Sequence, residues 1–198
     1  MPGKPDEDDA MRIMNLFNRL YNFSIAKKYR IQWDKSVIIG GRLLVKGKPG
    51  SISIGSNTVI NSEKKAVPLG YQTQTVFWTI DEGKIIIGRN CGISNATFCS
   101  ASRLILGDYV TIGGGVKLFD TDFHSLDYEK RVDYVDDNDR QSAPITVKSG
   151  AFIGAGSIIL KGVTIGSKSI IGAGSVVTKD VPDREIWAGN PAKMIRRL

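Results

Sequence analysis

A three-sided parallel β-solenoid is the fold this sequence predicts. Three observations predict it: a six-residue period, glycines in phase with that period, and one long interruption between otherwise continuous repeats. From Val147 to Pro182, six consecutive hexads open on an aliphatic residue: Val147, Ile153, Ile159, Ile165, Ile171 and Val177. Gly154, Gly166 and Gly172 directly follow three of these openers, and the fifth places hold Ala151, Ser157, Val163, Ser169, Ser175 and Val181. A period of six suits neither a helix turn nor a simple alternating strand. It suits a coil of three short strands and three corners, in which each opener points inward and stacks on the residue eighteen positions away, with strands of successive coils about 4.8 Å apart. Gly154 should then lie under Gly172, glycine serving corners where a Cβ is excluded.

The chain of 198 residues, 41% hydrophobic, is long enough for one domain with a sizeable core. Residues 1–33 form its first segment. The acidic run Asp6–Asp9 precedes a stretch in which Ile13, Leu16, Phe17 and Leu20 recur at helical spacing, and Lys27, Lys28 and Arg30 follow near its end. This predicts an amphipathic helix. Capping the open end of the solenoid is the favoured role, and lying on a membrane surface the other. No apolar run approaches a membrane span and the start lacks a signal peptide's order, so the expected compartment is the cytoplasm.

The repeat region is expected over 34–185. Ile39-Gly40, Val45, Ile54-Gly55 and Ile60-Asn61 begin the phase, Ser62 to Gln74 break it, and it resumes through Ile87-Gly88, Ile93 and Cys99. One extra residue after Cys99 then shifts the frame to Leu106-Gly107, Ile112-Gly113 and Leu118, as a corner bulge would. On this reading Cys99 is a small buried opener, and neither it nor Cys91 suggests a disulfide framework, a zinc site or a nucleophile.

After Leu118 the pattern stops for the 28 residues 119–146. A rigid solenoid with one outward excursion concentrates binding and chemistry in that excursion. It carries Asp120-Thr121-Asp122-Phe123-His124, and His124 is the single histidine of the chain. Histidine is the side chain suited to take and return a proton near neutral pH, and Asp120 or Asp122 is close enough in sequence to orient it. One histidine cannot furnish the three protein ligands of a catalytic zinc, so no metal is expected.

Charge divides along the chain. Residues 119–147 hold eight acids against three bases, a balance of −5, whereas 148–198 hold eight bases against three acids, a balance of +5. No basic stripe interleaved with aromatics points to nucleic acid. A compact polyanion fits the basic end better, with two solvated faces as the plainer alternative. In the tail, 186–198, Asn190-Pro191 reads as an N-cap and first helical residue, predicting a short C-terminal helix on which Lys193, Arg196 and Arg197 share a face.

The hexads, together with the tail Ala188-Gly189-Asn190-Pro191-Ala192-Lys193, resemble the hexapeptide-repeat acyltransferases from about Ile54 to Leu198. The resemblance implies an all-β solenoid of left-handed parallel β-helix type, a homotrimer with sites between subunits, and acetyl-CoA as acyl donor. It also implies that His124 acts as general base. Carried position by position from galactoside and maltose acetyltransferases, it implies that Ala155 and Ala173 offer backbone groups to the pantetheine arm, that Thr178 and Lys179 lie beside the nucleotide, and that Lys193 and Arg196 contact phosphate. Ser94, Asn95 and Ser102 fall near the acceptor contacts, although the aspartate expected near Ala101 or Ser102 is absent. The Asp-Thr-Asp-Phe-His-Ser string is more similar to acetyltransferases of bacterial surface polysaccharide. The expected activity is therefore transfer of acetyl to a sugar or polysaccharide-precursor hydroxyl. The alternatives are N-acylation of an amino sugar or sugar nucleotide, acylation of a lipid precursor from a carrier protein, acetylation of a hydroxylated antibiotic, or a non-catalytic assembly solenoid.

Overall fold

The computed structural model describes residues 7–63, 74–132 and 139–198, with side chains from Met14 onward. Asp6, the side chains of Glu7–Ile13, most of the Ser62–Gln74 break, and Asp133, Asp136 and Asp137 of the excursion lie outside it.

A 23-residue helix, α1 (Glu7–Tyr29), leads into short strands that stack as three walls of six, eight and six strands. Successive strands visit the three walls in turn, and every pairing between coils is parallel. The path is a left-handed parallel β-helix.

The six-residue period becomes three inward columns. On the first wall Ile54, Ile87, Leu106, Val147 and Ile165 stand in register; on the second, Ile39, Ile60, Ile93, Ile112, Ile153 and Ile171. The third column is Val45, Phe77, Phe98, Leu118, Ile159 and Val177. Apart from the half-buried Ile39, these side chains are almost wholly buried, and burying each stabilises the stack by about 1.5–3 kcal/mol. The fifth-place residues are buried too, and their serines serve the corners. The Ser157 hydroxyl donates to the Gly172 carbonyl at 3.0 Å and that of Ser169 to the Pro182 carbonyl at 2.6 Å. At Gly154 a Cβ would come within 2.6 Å of the Ala173 nitrogen in the next coil, so no side chain fits there.

Two expectations need correction. Cys99 is not an opener: Phe98 fills the third-wall column, its ring 5.2 Å from that of Phe77, and Cys99 pairs with Trp78 and Phe119 on the outward row. The reason is a corner one residue short, at Asn95, which adopts φ 44°; the following corner at Ala101-Ser102 then takes two residues more than the hexad.

The tail is not helical either. Glu185–Gly189 adds to the second wall beside Ile170–Ile171, and Ala192–Arg197 returns antiparallel upon it. Asn190-Pro191, a cis peptide, forms the hairpin tip, and Gly189 enters it at φ 102°. A helix would have left the last wall as an open edge, whereas the hairpin supplies it with partners. Trp187 stands in register with Ile171, packs against the core, and donates from Nε1 to Glu185 at 2.8 Å, so it closes this end of the prism.

At the other end α1 packs on the first coil. Asn22 donates to the Gly41 carbonyl at 2.8 Å and accepts from the Leu43 N–H at 3.0 Å, while Asn18 accepts from Arg42. The helix stops in a Schellman turn, with Arg30 at φ 48° and the Ile31 N–H bonded to the Ala26 carbonyl. The docking face is therefore Asn18, Asn22 and Ala26, not the Leu16, Phe17 and Leu20 stripe, which stays exposed.

Candidate active site

The excursion leaves the third wall after Phe119 and rejoins the first at Ile145, so it springs from the corner between those walls. Asp120, at its root, is fully buried. One carboxylate oxygen accepts from the Ala101 N–H at 2.7 Å; the other accepts from the Ser100 hydroxyl at 2.7 Å and the Ser102 N–H at 3.0 Å. These bonds commit Asp120 to pinning the excursion to the coil before it. That anchors the loop bearing His124, and it is a different task from the imidazole contact expected of this residue.

Asp122 differs. One of its oxygens accepts from Lys161 Nζ at 2.8 Å, while Oδ2 is buried with no hydrogen-bond partner. A buried acceptor without a donor is costly, and this one belongs to the residue two positions before His124. The loop backbone is braced by a bridge between Thr121 and Ser142 and by the Asp122 N–H donating to the Gln141 carbonyl. Phe123 takes φ 66°, an uncommon conformation for an aromatic residue, costing about 1–3 kcal/mol. Its ring is held 5.2 Å from Phe119 and 6.2 Å from Trp78. His124 follows directly and is exposed to solvent.

The excursion also covers the outward row beneath it. Cys99 is buried there, and burial first, then the Asp120 carboxylate, pushes its thiol up to about 12, with Arg140 opposing. Burial raises the Cys91 thiol too. A raised thiol keeps the neutral form, so neither cysteine should be alkylated by iodoacetamide at pH 8 in the folded chain, and both should react once it is unfolded. Mass spectrometry reads the result; rapid native labelling of Cys99 would show that the excursion does not cover it.

A second cluster lies at the corner between the second and third walls. Gly154 packs against Ala173, Gly172 against Ala188, and the Ala155 carbonyl accepts from Gly174 at 2.8 Å. Ala155 and Ala173 thus stack one coil apart, with Ala188 against Gly172 at the end of the corner. Lys193 pairs with Ala188, and Arg196 pairs with Ile186 because an irregularity at Ile186/Trp187 shifts the register. Residues two apart on a strand share a face, so Lys193 and Arg196 lie together, as the helix reading required, but by strand geometry. Arg197 leaves them and pairs with Glu185 at 3.4 Å.

The remaining candidates divide between the corners. Thr178 and Lys179 follow the last third-wall strand and lie exposed on the edge that carries the His124 excursion; Ser102, half-buried, lies on the same edge one coil before the excursion. Ser94 and Asn95 lie at the opposite corner. Ser94 accepts from Asn61 at 3.3 Å, and the buried Asn95 amide donates to the Glu63 carbonyl at 3.0 Å. The acceptor trio is therefore not brought together within one chain. Lys161 and the Trp78–Phe119–Phe123 cluster were missed from sequence. The eighteen-residue stacking rule contained no place for the excursion, yet the Phe119–Leu160 register sets Lys161 beneath its first residues. Among the described residues, no group of three or more metal-ligating side chains is gathered.

Fold and corners together define a hexad-repeat solenoid, a prism whose edges carry the polar groups. The family model for the bacterial transferase hexapeptide (six repeats) matches residues 144–179, so this stretch carries the repeat of that family. It is 46% identical over 116 residues to Protein CapG of Staphylococcus aureus, covering 57% of this chain and 65% of that protein. It is 39% identical over 115 residues to galactoside O-acetyltransferase of Escherichia coli K12, covering 58% and 54%. The chain thus spans less than two thirds of either relative. A hexapeptide-repeat acetyltransferase of Vibrio cholerae, solved with acetyl-CoA, shares the fold with a TM-score of 0.57 at 24% identity, over 100% of this chain and 92% of that one.

Proposed function

We propose that this chain is a cytoplasmic, acetyl-CoA-dependent O-acetyltransferase that acetylates a hydroxyl of a sugar or surface-polysaccharide precursor, working as a homotrimer. The observation that carries this reading is the placement of two chemically different edges on either side of the third wall. One edge holds the exposed His124, two residues after Asp122, whose Oδ2 is buried without a hydrogen-bond partner. The other holds the Ala155–Ala173 column leading to Lys193 and Arg196. A cyclic trimer sets one such edge of each copy against the other edge of the next. The similarity to galactoside O-acetyltransferase supports acetyl transfer to a hydroxyl as the chemistry.

On this reading the small side chains of Ala155 and Ala173 leave backbone groups accessible to the pantetheine arm, and Lys193 and Arg196 hold phosphate through charge-assisted hydrogen bonds. Thr178 and Lys179 of the neighbouring copy close over the nucleotide. Ser102 lies on the acceptor side of the His124 edge, whereas Ser94 and Asn95 reach an acceptor only across the subunit boundary. Asp122 fixes the imidazole tautomer. His124 takes the proton of the acceptor hydroxyl as that oxygen attacks the thioester carbonyl, and returns it to the departing thiolate, so no acyl-enzyme forms.

Release of free thiol from acetyl-CoA, measured against a panel of hydroxylated and amino sugars, tests the reaction. Turnover should require a hydroxylated acceptor. Mixing two inactive variants, His124→Ala and Ala173→Trp, should restore part of the activity, because mixed trimers contain edges intact on both sides. No restoration would place both edges of each site on one chain.

A further inference from the structure

The docking of α1 leaves its apolar stripe without a partner. Leu16, Leu20 and Phe23, spaced four and three apart, share one face of the helix and are 57%, 55% and 64% exposed. That face points away from Asn18, Asn22 and Ala26, which hold the helix to the first coil. Along its flank runs a groove of about 860 Å³, with Leu16, Leu20 and Phe23 on the helix side and Trp33, Val37 and Ile38 on the solenoid side. Ile38 is itself 62% exposed. A contiguous apolar surface of this kind marks an interaction site.

The charge around it selects the partner. Residues 10–33 contain no acid and five bases: Arg12, Arg19, Lys27, Lys28 and Arg30. Lys27 continues the Leu16–Leu20–Phe23 line by one more turn, and Arg19 and Lys35 line the groove, with Asp34 as its single acid. A second copy docking groove to groove would set Arg19 and Lys35 against their own copies, with Asp34 the one acid on each side. An anionic lipid surface instead attracts each such cation by about 1 kcal/mol while the apolar stripe enters the acyl boundary. We infer that α1 and the groove beside it form a peripheral binding site for an anionic membrane surface. No described helix is long and apolar enough to cross a membrane, so this mode of attachment lies on the surface. The inference does not depend on the acyl-transfer reading.

Flotation of the full chain with vesicles of phosphatidylcholine alone, or of phosphatidylcholine with phosphatidylglycerol, tests it. Binding is expected only with phosphatidylglycerol and should weaken as salt rises. Substituting Leu16, Leu20 and Phe23 together by Ser should lower binding at least about tenfold without changing the melting temperature, because all three are exposed. Lys27→Glu with Lys28→Glu, outside the docking face, should weaken it as well, and serves if the triple variant fails to fold. Absence of wild-type binding to either vesicle would overturn the proposal. So would undiminished binding of both variants, or a fall in sedimentation mass of the triple variant, which would make the stripe a contact between copies.

Discussion

Replacing His124 by alanine should lower turnover by about 10² to 10⁴ while leaving the affinity for acetyl-CoA unchanged. The split follows from the architecture. His124 stands on the edge formed by the excursion, whereas Ala155, Ala173, Lys193 and Arg196 stand across the third wall and keep their geometry without it. Steady-state thiol release measures the first quantity and calorimetry the second. Turnover within a few-fold of wild type would remove His124 from proton transfer, and the excursion would then serve binding alone.

Replacing Asp120 by alanine should cost about 3–5 kcal/mol of stability, since it strands the buried Ser100 hydroxyl and the part-buried N–H groups of Ala101 and Ser102, each at about 1–3 kcal/mol. Urea unfolding, compared with an exposed control such as Asp183→Ala, measures the difference. Activity should fall with stability, because the residues bearing His124 begin four positions after this anchor. A loss below about 1 kcal/mol would show that water replaces the carboxylate at the corner.

The difference between these two aspartates shows where sequence reading reaches its limit. Asp120 and Asp122 are alike by type and by distance from His124, and nothing in the order of residues separates a corner anchor from an orienting group. What separates them is the coil above, where Ser100, Ala101 and Ser102 present three donors to one and none to the other. The inward columns were legible because an opener's burial depends on its own hexad and on its equivalents eighteen residues away. Cys99 and Phe98 exchanged places because a left-handed Asn95 shortened a corner, a change that alters phase without altering composition. The tail misled for a different reason. Asn-Pro satisfies the local rules of a helix start, but an open strand edge next to Ile170–Ile171 recruited the segment into a hairpin. The pairing of Lys193 with Arg196 on one face survived this change only because of the shift at Ile186/Trp187. In α1 the amphipathic stripe was legible and its use was not: Asn22 outcompeted it for the solenoid by bonding to backbone groups of Gly41 and Leu43, helped by Asn18, which accepts from the Arg42 side chain.

The most direct test of the account is calorimetric binding of acetyl-CoA beside its analogue lacking the 3′-phosphate, on the wild type and on Arg196→Ala. The account predicts that wild type binds acetyl-CoA, and that removing either the phosphate or the guanidinium weakens binding by about tenfold or more, with little further loss when both are absent. Absence of binding by the wild type at millimolar concentration would contradict it, and would turn the search toward carrier-protein donors and assembly partners.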